Sequence, residues 1–190
     1  MTDRMEQLSL DIDLDLDIDQ KATANRVRHF LDFNFEHYLN FAGLNASDLS
    51  VIDDSHLSSP KMDASGVSAH GGINHTEQSF NRIIEAENAC KAIYRTIKNC
   101  RNGERTPYQT ILVENYLHYR PDITVQAMLG YSSSRYDVLK RRALCEFADR
   151  FDVWKFRYGV EYLEDLHVSK KSKKDFESTF QRDSKDINGG

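Results

Sequence analysis

The stretch 121-PDITVQAMLGYSSSRYDVLKRRALCEFADRF-151 decides how this chain is read. Before Gly130, the residues Val125, Met128 and Leu129 fall on the inward side of a short helix that begins at Pro121-Asp122, where the proline pushes Arg120 toward an extended backbone. Gly130 supplies the left-handed conformation that turns a chain within few residues. Ser132 then caps a second helix, which carries Tyr136, Leu139, Ala143, Leu144, Phe147 and Phe151 on one face. Two helices joined by so short a turn form a helix-turn-helix or the corner of an ordinary helical bundle, and spacing alone leaves both open.

The other face of the second helix carries the candidate chemistry. At about 100° per residue, Ser134, Val138, Arg141 and Cys145 lie opposite the apolar stripe, with Arg135, Asp137 and Arg142 beside them. In a helix-turn-helix this face enters the major groove of double-stranded DNA. The candidate DNA-binding residues are therefore Ser133, Ser134, Arg135, Asp137, Val138, Lys140, Arg141 and Arg142. Arg141 is the leading base reader, because a guanidinium bridges guanine O6 and N7, while Ser133 and Ser134 reach a base edge or a phosphate. Lys140 falls nearer the apolar side, so its stem is expected along the protein and its amine at a phosphate. In a plain bundle Arg141 and Arg142 are solvated surface, and on either reading Asp137 repels phosphate.

Working outward, the interval between Gly72 and Gly103 holds neither Gly nor Pro. Phe80, Ile83, Ile84, Cys90, Ile93, Tyr94 and Ile97 recur there at helical spacing, which predicts one long helix whose stripe is interrupted by Glu87. Val27, Phe30, Leu31, Phe35, Tyr38 and Leu39 predict an earlier helix over about 23–39, with Gly43 just past its end. Between the two, residues 43–73 are rich in Ser, Asp, Gly and His and predict a long loop, either mobile or functional. His56, His70 and His75 near Asp63 match neither zinc-finger nor HExxH spacing, so no metal is expected. Thr106, Pro107 and Gln109 predict a capping box opening a helix that buries Ile111, Leu112 and Tyr116. Downstream, Trp154, Tyr158, Tyr162 and Leu166 continue at intervals of three or four. They extend the last helix, packing on their own domain or forming the seam of a homodimer.

The expected fold is all-α: a helical N-terminal scaffold over 18–100 and a helix-turn-helix domain over 104–157. An acidic tail over 1–17 and a polar tail over 168–190 are expected to be disordered. The strict alternation of Leu10-Asp11-Ile12-Asp13-Leu14-Asp15-Leu16-Asp17-Ile18-Asp19 gives that first tail a strand period. It either stays solvated, competes with DNA for the basic helix or touches a polymerase subunit.

Composition narrows the function classes. The chain is 39% hydrophobic and 29% charged, with no apolar run long enough to span a membrane. It starts without a charged-then-apolar leader, which predicts a cytoplasmic protein. Cys90, Cys100 and Cys145 are too few and too far apart for a disulfide framework or zinc ribbon, and they read as reduced thiols. Neither a glycine-rich phosphate loop nor a nucleophile with a recognisable base occurs, so neither enzymatic activity nor a cofactor is expected. The net charge of -5 is uneven. Residues 1–20 hold seven acidic side chains and one basic, whereas residues 120–157 hold eight basic and five acidic. The region proposed to face DNA is the positive part of an acidic chain.

A family resemblance runs through about residues 18–157. It is carried by Ile18-Asp19 with Lys21, Thr23, Val27 and Leu31; by Ser59-Pro60-Lys61-Met62-Asp63; and by Leu129-Gly130-Tyr131-Ser132, Tyr136, Leu139-Lys140, Arg142-Ala143-Leu144 and Phe147-Ala148. In this order the chain resembles the ArpU-type phage transcriptional regulators, whose C-terminal part is similar to region 4 of bacterial sigma factors. The chain departs from that pattern after Asp63, where Ala64-Ser65-Gly66-Val67 replaces a Gly and a Pro, and at Asp137. The resemblance implies control of late phage genes, including lysis and packaging genes, in a bacterial host. Two other functions fit the same helices: docking to RNA polymerase or a sigma factor without reading DNA, and recognition of a packaging site in the manner of a small terminase subunit.

Overall fold

Helix α6, Ser133–Tyr158, is the longest helix among the described residues. The computed structural model describes residues 18–50 and 75–170. The expectations for residues 1–17, for His56, Asp63 and His70, and for the C-terminal segment beyond Lys170 lie outside the described residues. Helix α1, Gln20–His29, runs through a π-helical stretch, Phe30–Asn34, into α2, Phe35–Ala42, which ends at Gly43. The long helix α3 spans His75–Asn99. A minimal antiparallel hairpin, β1 Asn102–Gly103 and β2 Thr106–Pro107, leads into α4, Tyr108–Leu112, which continues as a π-helical stretch, Val113–Leu117. The short helix α5, Asp122–Leu129, precedes α6. The class is all-α, and the small hairpin is the only named sheet among the described residues.

The apolar face anticipated for α6 is buried throughout, with Tyr136, Leu139, Ala143, Leu144, Phe147 and Phe151 each 1% exposed or less. Helices α1, α3 and α4 pack directly on it, and Phe30 from the π-helical turn meets Phe151 with ring centroids 5.3 Å apart. The 104–157 segment therefore does not fold around a core of its own. Val27, Ile93, Ile97, Ile111 and Phe147 belong to one continuous cluster that spans scaffold and C-terminal helices alike.

Several local expectations change. Thr106 and Pro107 do not make a capping box: they pair with Gly103 and Asn102 in the hairpin, and Pro107 takes the cap position without a side-chain bond. Gln109 instead donates its side-chain amide to the Lys98 carbonyl, tying α4 to the end of α3. Tertiary pairing outweighs the local motif here. Met128 faces outward at 52% exposure, leaving Val125 as the buried anchor of α5. On α3, Ile83 is exposed, and the tightly buried face is made by Ala86, Ala89, Ala92, Ile93 and Ile97, where small side chains permit close approach. The expected loop over 43–73 is ordered at its start, where a 3-10 turn, Ala46–Ser50, buries Ala46 and Leu49.

The aromatic spacing beyond Trp154 does not continue the helix. Gly159, at φ 65°, ends α6 in the left-handed conformation, and a non-helical strap returns across the molecule, burying Val160, Leu163 and Leu166. The strap is fixed to α1 on one side and α6 on the other. Arg26 donates to the carbonyls of Asp165 and His167, the Val168 N–H donates to Thr23 Oγ1, and Ile18 pairs antiparallel with Ser169. The start of the segment expected to be a disordered tail, Val168 to Lys170, is thus part of the folded body.

Candidate nucleic-acid interface

The turn between α5 and α6 consists of Gly130, Tyr131 and Ser132. Gly130 adopts φ 69° and its N–H donates to the Ala127 carbonyl, the left-handed termination that the sequence signalled. Tyr131 donates its hydroxyl to the Glu104 carbonyl, which holds the turn against the hairpin. Ser132 occupies the cap position of α6 with an extended backbone, but its side chain accepts no capping hydrogen bond. The first turn of α6 therefore presents backbone N–H groups with no side-chain cap and carries no acidic residue.

Two side chains of α6 set the relation between the helices. Tyr136 donates its hydroxyl toward Asn115 Oδ1 at 2.9 Å and Asp122 Oδ1 at 3.1 Å. Lys140 reaches the same Asp122 oxygen at 2.6 Å with its side chain only 11% exposed, and its ammonium lies over the Tyr116 ring. One carboxylate at the start of α5 thus receives two donors from α6. The amine of Lys140, expected at a DNA phosphate, is turned inward and committed to Asp122.

The remaining candidates divide by position. Ser133, Ser134, Arg135, Asp137, Arg141 and Arg142 are exposed, and Val138 is half-buried. Arg135, Val138 and Arg142 lie along the outward strip of the helix. Arg141 and Asp137 instead border α1, where they line a cleft of about 400 Å³ with Lys21, Asn25, Arg28, Lys140 and Asp122. Cys145, placed on the outward face by spacing, is half-buried and donates its thiol to the Gln20 carbonyl. Helix α1 therefore covers part of the face that sequence periodicity left open. Among the described residues, no ion pair engages Lys21, Arg135, Arg141 or Arg142.

Glu146 escaped the sequence reading. It sits on α6 at 7% side-chain exposure and accepts from the Arg101 backbone N–H at 2.8 Å, Arg101 Nε at 2.6 Å and Arg150 Nε at 2.9 Å. It fastens the hairpin end of α3 to α6. Its partner Arg150 at i+4 is a legible signal, whereas Arg101, distant in sequence, is not.

Other polar clusters are engaged within the protein. Asp152, Asp165 and His167 converge, but Asp152 is paired with Lys155 at 2.7 Å and His167 with Asp149 at 3.0 Å. Burial pushes the Cys90 and Cys100 thiols up to about 12 and Cys145 up to about 11, so none is a ready nucleophile at neutral pH. Comparison with known proteins finds no matching family model, no matching curated protein and no matching solved structure.

Proposed function

We propose that this chain is a sequence-specific DNA-binding regulator of transcription in a bacterial host, of the phage late-gene type, acting through α5 and α6 as a sigma-region-4-like helix-turn-helix. The observation that carries the reading is the first half of α6: Arg135, Arg141 and Arg142 are exposed and without carboxylate partners among the described residues, directly after a three-residue turn closed by Gly130. A helix presented in this way places its N-terminal side chains at base edges in the major groove. Arg135, Val138 and Arg142 occupy the outward strip, so they are the residues assigned to bases. Ser133 and Ser134 at the helix start serve phosphate or base edge.

The experiment is titration of full-length chain against double-stranded DNA recovered from genomic footprints. Arg142→Glu, alone and with Arg135→Glu, abolishes specific binding if this face reads DNA. Unchanged binding by both variants overturns the reading. Val153 and Phe156, 53% and 75% exposed in the second half of α6, favour an accompanying protein contact, to RNA polymerase or to a second copy in a homodimer. Of the spaced residues Trp154, Tyr158, Tyr162 and Leu166, Tyr162 is likewise exposed at 60%, whereas Leu166 is buried against its own chain at 2% exposure and leaves the seam. Phe156→Glu that leaves sedimentation and transcriptional activation unchanged removes that contact from the account.

A further inference from the structure

Arg141 does not stand with the outward strip; it stands with α1. Lys21, Asn25 and Arg28 recur at i, i+4 and i+7, which places them on one face of α1, and that face forms one wall of the cleft whose other wall carries Arg141 and Asp137. We propose that this cleft grips a phosphate of the DNA backbone, making α1 part of the interface and Arg141 a phosphate ligand instead of a base reader. The inference rests on the DNA-binding reading and adds to it a second element and a division of labour.

Three observations carry it. First, Asp122 is already matched by Lys140 at 2.6 Å and Asp32 lies within electrostatic reach of Arg28, so Lys21 and Arg141 meet Asp137 as the remaining acid lining the cleft. The balance favours an anion. Second, the donor set combines an ammonium, two guanidinium groups and the Asn25 amide around a concave surface, which suits the three-dimensional distribution of phosphate oxygens better than a planar base edge. Third, α1 is held in place from its other side. Asp19 caps it through bonds to the Lys21 and Ala22 N–H groups at 3.0 Å, and Thr23 and Arg26 are tied to the strap. The cleft wall is thus fixed before any ligand arrives, which lowers the ordering cost of binding. A helix lying in the major groove brings the DNA backbone to its flanks, and the flank of α6 that carries Arg141 is the one shared with α1.

The test uses the full chain and two duplexes of equal length, one carrying the preferred sequence and one random. Binding is measured across a salt series for the unaltered chain, Lys21→Ala, Arg141→Ala and Asp137→Asn. Lys21→Ala and Arg141→Ala are each expected to reduce the slope of log Kobs against log salt by about 0.9 and to weaken both duplexes by the same factor. Asp137→Asn is expected to strengthen both. Lys21 is exposed, so its removal leaves the fold intact, checked by an unchanged urea melt. A slope unchanged in Lys21→Ala while the unaltered chain binds DNA overturns the clamp alone. Loss of sequence preference without a slope change in Arg141→Ala returns that residue to base reading and also overturns it. Failure of the unaltered chain to bind either duplex overturns the DNA-binding reading and the clamp together.

Discussion

Removing either partner of the Lys140–Asp122 pair tests the geometry that fixes α5 against α6, and the two removals are predicted to be unequal. The Lys140 side chain is 11% exposed and the Asp122 side chain 53% exposed, at 2.6 Å separation. Lys140→Met keeps a stem of similar length in place and leaves behind a half-exposed carboxylate that water can solvate and that still accepts from Tyr136. The loss is then one charge-assisted hydrogen bond, discounted for the exposed partner, about 1 kcal/mol. Asp122→Ala leaves a nearly buried ammonium without its carboxylate and removes an acceptor of the Tyr136 hydroxyl, so about 2–3 kcal/mol is expected. The double variant should cost less than Asp122→Ala alone, since the stranded charge has gone. Urea denaturation followed by circular dichroism reads these values directly. DNA binding supplies an independent arm: because the Lys140 amine is committed to Asp122, Lys140→Met should leave the salt slope unchanged. Lys140→Met costing more than Asp122→Ala, or lowering the slope by about one unit, refutes the reasoning.

Other consequences are equally direct. Glu146→Ala removes three accepted hydrogen bonds and leaves the Arg101 N–H without its partner; with both arginines substantially exposed, the expected destabilisation is about 2–3 kcal/mol, and Glu146→Gln should recover part of it in the same urea melts. Gly130→Ala forces an L side chain to φ 69° with no atom crowding it, so the cost is conformational, about 1 kcal/mol, and Gly130→Asn should cost less. The hydrogen bond from His167 to Asp149 raises the histidine pKa above 6.5, aided by Asp165 and opposed by burial. The stabilisation it supplies is therefore fully present below pH 6.5 and lost as pH rises through the folded value. Asp149→Asn should flatten that pH dependence of stability, and an unchanged profile counts against the strap contact.

The turn at Gly130 was legible because a left-handed residue between two amphipathic segments is a local demand that few sequences satisfy otherwise. Gly159 carries the same signal, yet Tyr158 and Tyr162 keep helical spacing across it. Periodicity then extends a helix that the backbone ends, and Leu166 reaches the core through a returning strap. The Thr106-Pro107-Gln109 motif was misleading for a related reason: capping contributes about 1 kcal/mol, and hairpin pairing with Asn102 and Gly103 together with the Gln109 bond to Lys98 outweighs it. Ala86, Ala89 and Ala92 form the tightest face of α3, but small residues contribute weakly to a hydrophobic pattern.

The candidate interface was legible as a face and not as a neighbourhood. Periodicity correctly exposed Ser134, Arg135 and Arg142 and correctly buried the Tyr136 to Phe151 stripe. It could not show that α1 lies beside Cys145 and Arg141, nor that Asp122 takes the Lys140 amine, because both contacts join segments that sequence spacing treats separately.

The central claim is that the outward strip of α6 reads bases in double-stranded DNA. Selection of bound duplexes from a fully randomised pool by the full-length chain tests it most directly, with Arg135→Ala and Arg142→Ala run in parallel. The unaltered chain is expected to enrich one sequence motif, and each variant to relax preference at particular positions of it, by about 1–3 kcal/mol per lost bidentate contact. A pool that remains random after selection, or a motif that survives both substitutions unchanged, contradicts the claim.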